Sequence, residues 1–179
     1  MTTQQPSRRR FLKLGIAGAA LIGTGTVVYR TVGRFGPPAL GYKVFDADEL
    51  AVLEAACEAH FPGPPEWPLS AKEAGAPAFV DRYLAELYPD NQKLFRALLR
   101  TLNLSTLVTH RAQFKNLPVK DRFEVLETWA ASSLRLRRGG NQSLTLFIKM
   151  GYFENEKVRE ALGYTYGCEV SQEGRPQGI

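Results

Sequence analysis

From residue 42 to the C-terminal tail, apolar side chains recur every three or four positions, and no stretch alternates with period two for long. No Asn-Gly or Asp-Gly hairpin signal interrupts this pattern. Such a chain can bury its apolar groups by packing helices, and has few options for building a sheet. Asp46-Ala-Asp-Glu49 reads as a capping box opening a helix over roughly 47–60, with Leu50, Leu53, Cys57 and Phe61 at helical spacing. Pro62-Gly63-Pro64-Pro65 stops it, and residues 62–75 read as a Pro- and Gly-rich loop holding Trp67. Pro77 suits the first turn of the next helix, whose stripe is Phe79, Val80, Tyr83, Leu84 and Leu87.

Pro89-Asp90 breaks and recaps the chain. A third helix, about 91–110, carries Leu94, Phe95, Leu98, Leu99, Leu102 and Leu107. Phe114 and Leu117-Pro118 mark a turn, and Lys120–Ala131 carries Phe123, Val125, Leu126 and Trp129. Residues 132–150 read as a helix interrupted at Gly139-Gly140, with Gly151-Tyr152-Phe153 as a turn into a short helix over about 154–161. The expectation is an all-α bundle of five or six helices. The organisation expected is a leader over 1–35, a proline-stiffened linker over 36–45 and a helical domain over 46–179.

Charge sits unevenly along the chain. The formal net charge is +5, yet residues 1–35 carry Arg8, Arg9, Arg10, Lys13, Arg30 and Arg34 and no acid. That leaves 17 basic groups against all 18 acidic ones from residue 36 onward. A nearly neutral body does not have the footprint of a nucleic-acid binder, and none is expected as a partner. The run Arg135, Arg137, Arg138 reads as a solvated helix end.

The leader has the form of an export address. Ser7-Arg8-Arg9-Arg10-Phe11-Leu12-Lys13 precedes a Gly- and Ala-rich apolar run from Leu14 to Tyr29, and resembles the twin-arginine translocation signal. The run of about 16 residues spans about 24 Å, short of the roughly 30 Å hydrocarbon core. Ala17-Gly18-Ala19 has the small-x-small form of a cleavage site, but it lies inside the run. Cleavage or retention as an anchor over residues 14–32 both stay open, with retention slightly favoured. The resemblance implies the twin-arginine translocase as a partner and a periplasmic location, with the inner membrane engaged if the segment is retained. It also implies export in a folded state.

No pattern for a metal or a nucleophile emerges. Cys57, His60, His110, Cys168, Met1 and Met150 are the soft ligand candidates. Cys-x-x-Cys-His and His-Glu-x-x-His are both absent, as is Gly-x-Ser-x-Gly. No catalytic residue, metal site or cofactor is expected in this chain. In an oxidising compartment Cys57 and Cys168 can pair and close a loop of about 110 residues. The alternative is a buried thiol and an unrelated tail thiol. Trp67, Tyr152 and Phe153 are large apolar groups placed on loops, where they serve either as core lids or as a partner interface.

With these residues placed, the chain resembles the gluconate 2-dehydrogenase subunit 3 family, the small subunits of membrane-associated flavin dehydrogenases. The resemblance rests on several segments: Ser7 to Lys13; the Leu50–Phe61 helix with its Pro62-Gly63 stop; and Ala74-Gly75-Ala76-Pro77 leading into Phe79-Val80-Asp81. It continues through Phe114 with Leu117-Pro118 and Arg122, and through Phe147 to Gly151-Tyr152-Phe153. Residues 62–75 lack the acidic richness of that family's loop, and 132–143 is unusually basic. The resemblance implies a non-catalytic partner of a large FAD-bearing dehydrogenase subunit, with electrons passing in some complexes to a cytochrome c subunit carrying haem c. It implies support of assembly and twin-arginine export of that large subunit. The competing expectations are a stand-alone periplasmic helical binding module or electron-transfer protein, and a secreted enzyme of another kind.

Overall fold

The computed structural model describes residues 35–164. The twin-arginine motif, the apolar run behind it and Cys168 lie outside these residues. Among the described residues every regular element is helical. Helix α1 (Ala47–His60) starts at the expected capping box: the Glu49 N–H donates to Asp46 Oδ1 at 2.9 Å, and the Asp46 N–H donates to Glu49 Oε2 at 3.1 Å. Helix α2 (Ala76–Ala85) and helix α3 (Pro89–Ser105) each place a proline in the first turn, where its missing N–H costs no hydrogen bond. A one-turn α4 (Leu107–His110) and a 3₁₀ turn (Phe114–Asn116) lead to α5 (Val119–Ala130). Helix α6 (Arg135–Glu154) and a short α7 (Glu156–Ala161) complete the bundle, with Asn155 capping α7 through the Lys157 and Val158 N–H groups.

Helix α1 is the central element. It packs against α2, α3, α5 and the 3₁₀ turn, and Leu53, Ala56 and Cys57 are wholly buried. Helix α6 lies across α2 and α5, contributing Leu144, Ile148 and Tyr152 to the same core. Its course departs from the sequence expectation. The helix runs unbroken through Gly139-Gly140 and continues past Gly151 to Glu154. Two helical glycines cost about 1 kcal/mol each relative to alanine, and the buried face of α6 outweighs that. Gly151 is buried in the closest approach of α6 to α2, where the position demands smallness, and the chain does not turn there.

The segment 36–45 is bound to the body. The Asp81 carboxylate, itself buried, accepts from the backbone N–H groups of Lys43 (2.7 Å), Val44 (2.9 Å) and Phe45 (3.1 Å). Phe45 is a core residue packed near Phe95, with ring centroids 6.0 Å apart. At the start of α1, Arg96 Nε and Arg100 Nε donate to the two oxygens of buried Glu49 at 2.6 and 2.7 Å. Asp46 Oδ2 accepts from Arg100 at 2.6 Å and from Arg96 at 3.3 Å, while Arg96 also donates to the Gly36 carbonyl at 2.9 Å. Phe35 lies against both guanidinium groups, at 4.5 and 5.0 Å. Residues 35–45 are thereby attached to the helical body at several points.

Candidate docking surfaces

Trp67, Tyr152 and Phe153 come together around Phe61. The Phe61 and Tyr152 rings stack in parallel with centroids 3.8 Å apart, and Trp67 meets Phe61 edge-on at 4.7 Å. Phe153 closes the group at 5.8 Å from Phe61 and 5.4 Å from Tyr152. The three residues have different accessibility. Tyr152 is wholly buried on α6, and its hydroxyl donates to the Leu69 carbonyl at 2.9 Å. It positions the loop that carries Trp67. Trp67 is half-buried, and Phe153 is exposed. Sequence periodicity assigned Tyr152 to a turn because its partner Phe61 is 91 positions away and invisible to local reading.

A cleft of about 690 Å³ opens beside this cluster, between α5 and α6. Trp67, Phe61 and Phe153 form one side and Phe123 the other, with Glu127 and Lys149 also lining it. Phe123, one of the apolar residues that α5 carries, is exposed and lines the cleft. His60 lies in the cleft at the end of α1, edge-on to Phe123, with Nε2 3.3 Å from Thr145 Oγ1. Burial, reinforced by Lys149, pushes the His60 imidazole down to about 4, so it is neutral at pH 7. Asn141, on α6, is buried at 6% exposure, and its Oδ1 has no hydrogen-bond partner among the described residues.

On another side of α6 lies an open apolar groove of about 580 Å³ against α3. Leu84, Leu87, Leu94, Leu98, Leu136 and Phe147 supply most of its surface. Leu94, one of the apolar residues of α3, is 69% exposed, and Leu136 is 92% exposed. Gly140 makes the α3 side chains fit: a Cβ there would lie 2.6 Å from Leu98 Cδ1. Sequence reading missed this groove. Its only local signal is a surplus of leucines on α3, more than one face can bury.

The remaining candidates lie apart. Cys57 is buried and has no disulfide partner among the described residues; its thiol is pushed up by burial and further by Glu54, and its expected partner Cys168 lies outside the described residues. His110 is exposed on α4, its Nδ1 2.8 Å from Thr109 Oγ1. Arg135, Arg137 and Arg138 are exposed at the start of α6; Arg137 lies over the Trp129 ring, and Arg138 donates to the Ser132 carbonyl at 3.0 Å. Among the described residues no group of three His, Cys, Asp or Glu is placed to hold a metal ion. No described helix is long and apolar enough to cross a membrane.

The family model described as gluconate 2-dehydrogenase subunit 3 matches residues 47–166, which spans α1 to α7 and about two thirds of the chain. No curated protein and no solved structure matches it.

Proposed function

The chain belongs to the gluconate 2-dehydrogenase subunit 3 family, and from that premise we propose that it is the non-catalytic small subunit of a periplasmic FAD-dependent dehydrogenase complex. In this reading the flavin belongs to the large subunit, and a cytochrome c subunit with haem c accepts electrons where one is present. The small subunit docks the large one through surfaces on α6 and supports its assembly. Its twin-arginine leader, with Ser7, Arg8, Arg9, Phe11, Leu12 and Lys13, takes the folded pair through the translocase.

The observation that carries this reading is the family match over the whole helical body. The apolar groove between α3 and α6 supports it physically. Exposed leucines concentrated in one concavity are costly in water and are the usual material of an interface core. The attachment of residues 35–45 through Asp81, Arg96 and Arg100 adds mechanical sense, because it joins the leader to the body that would bear a passenger.

Co-expression with the dehydrogenase subunit tests the proposal. The pair should co-purify from the periplasm as a yellow, flavin-containing complex. Removing residues 1–35, or changing Arg8 and Arg9 to Lys, should leave both chains in the cytoplasm. A dehydrogenase that reaches the periplasm equally well without this leader would contradict the export role.

A further inference from the structure

We propose that the start of α6, Leu134 to Arg138, docks the protein on a bilayer surface that contains anionic phospholipid. Every residue from Ser133 to Gly139 is exposed, and within that run Leu134 is 58% and Leu136 92% accessible. Arg135, Arg137 and Arg138 stand between and beside these leucines. Arg82, Arg96, Arg100 and Arg122 all form ion pairs, whereas these three form none among the described residues. Arg137 lies over the Trp129 ring and Arg138 donates to the Ser132 carbonyl, and neither contact brings a counter-charge. The nearest acids along the chain are Glu127 on α5 and Glu154, which is paired with Arg82. Local helix physics does not favour this arrangement. Cations in a first turn oppose the helix dipole, and here neither an acid nor a side-chain cap offsets them.

Charge and apolar groups together identify the occupant. A protein interface gathers apolar area in its middle and keeps charge at its rim. The neighbouring α3–α6 groove has that form, and its lining includes Leu136 and Arg137 but not Leu134, Arg135 or Arg138. In the run from Leu134 to Arg138, leucine and arginine alternate instead, with no apolar centre. Such a segment meets a membrane interface with its leucines in the headgroup–acyl boundary, while the arginine stems reach back to the phosphates. Guanidinium groups bind phosphate bidentately and stay charged at any working pH. The negative potential of an anionic leaflet attracts them over a Debye length. The contact is peripheral, since no described helix is long and apolar enough to cross a membrane. It stands independently of the subunit reading, because a partner seated in the groove leaves Leu134, Arg135 and Arg138 outside its lining.

The test needs a readout at this face, because the basic and apolar leader can bind vesicles by itself. The full chain with Ser133→Cys and Cys168→Ser is labelled with bimane; its one other thiol, Cys57, is wholly buried. Bimane emission moves to the blue when the label leaves water. It should do so on vesicles of phosphatidylcholine mixed with phosphatidylglycerol at about 0.1 M salt, and revert at about 1 M, where the Debye length falls to about 3 Å. Vesicles of phosphatidylcholine alone should leave it unshifted. Arg135→Gln, Arg137→Gln and Arg138→Gln together should abolish the shift. Lys93→Gln, Lys120→Gln and Lys157→Gln remove the same charge from other exposed positions and should preserve it. The lipid and salt comparisons need no arginine variant, so they judge the face even if the triple substitution unfolds the chain. No shift, equal shifts on both kinds of vesicle, or a shift that survives in the arginine variant overturns the proposal. So does a label that stays in water on vesicles but shifts when the dehydrogenase subunit is added, since the face then belongs to a protein.

Discussion

Two glycines in helix α6 should respond to alanine with opposite signs. Alanine is favoured over glycine in a helix interior by about 1 kcal/mol, and this gain is common to both sites. At Gly139, which is exposed, a Cβ meets nothing within 4 Å, so Gly139→Ala should stabilise the fold by up to about 1 kcal/mol. At Gly151 the added Cβ would lie 3.0 Å from Ala76 Cα, from the Ala76 carbonyl oxygen and from Phe79 Cβ. Two of these atoms are backbone and the third is fixed to it, so no rotamer change relieves the contact. Helices α2 and α6, the most extensively packed pair among the described residues, must move apart by several tenths of an ångström. Overpacking of this kind costs about 1–3 kcal/mol. The difference between the two variants isolates that contact cost, because the propensity gain cancels. Urea unfolding with an unchanged m-value measures it directly. Gly140→Ala provides a graded control, since the close neighbour there is the tip of Leu98, which can rotate into the open groove. A Gly151→Ala protein as stable as Gly139→Ala would refute the packing of α6 on α2.

Asp81→Ala should release the segment 36–45, because three backbone N–H groups lose their acceptor and two of those residues are buried. The expected loss is about 3–5 kcal/mol, read as fast hydrogen exchange at Val44 and Phe45; continued protection there would contradict the clamp. His60 should make the protein acid-sensitive. Its folded-state value of about 4 lies below the ordinary 6.5, so its contribution is present above pH 6.5 and is lost as pH falls towards 4. Between pH 7 and pH 5 this amounts to at most about 2 kcal/mol, and His60→Gln should remove that part of the acid slope. An unchanged slope in the variant would place the titration elsewhere.

Local signals carried far in this chain. The capping box at Asp46 and Glu49 and the stop at Pro62 give α1 its observed ends, because both act within one turn of helix. Failures occur where distant contacts override local preference. Gly139-Gly140 reads as a break until Leu144, Ile148 and Tyr152 are seen to have a core to bury into. Asp81 reads as one more polar helical residue, since the amides it holds are 36 to 38 positions earlier. Trp67, Tyr152 and Phe153 were legible as a group of importance, but their division into buried and accessible members was not. Phe61 decides that division by stacking on Tyr152. The apolar groove depends on what α3 and α6 leave uncovered, and no periodicity encodes an uncovered surface.

The most direct measurement is native mass spectrometry of the tagged full chain purified with its dehydrogenase, for the wild type and for Leu94→Glu with Leu136→Glu. These two residues are exposed in the isolated chain, so the substitutions should leave its fold intact. The account predicts a stoichiometric complex with a flavin-bearing partner for the wild type. For the double variant it predicts association weakened at least tenfold, as charges are forced into an apolar interface. A wild-type chain that purifies alone, or that itself oxidises substrate without a partner, would contradict it.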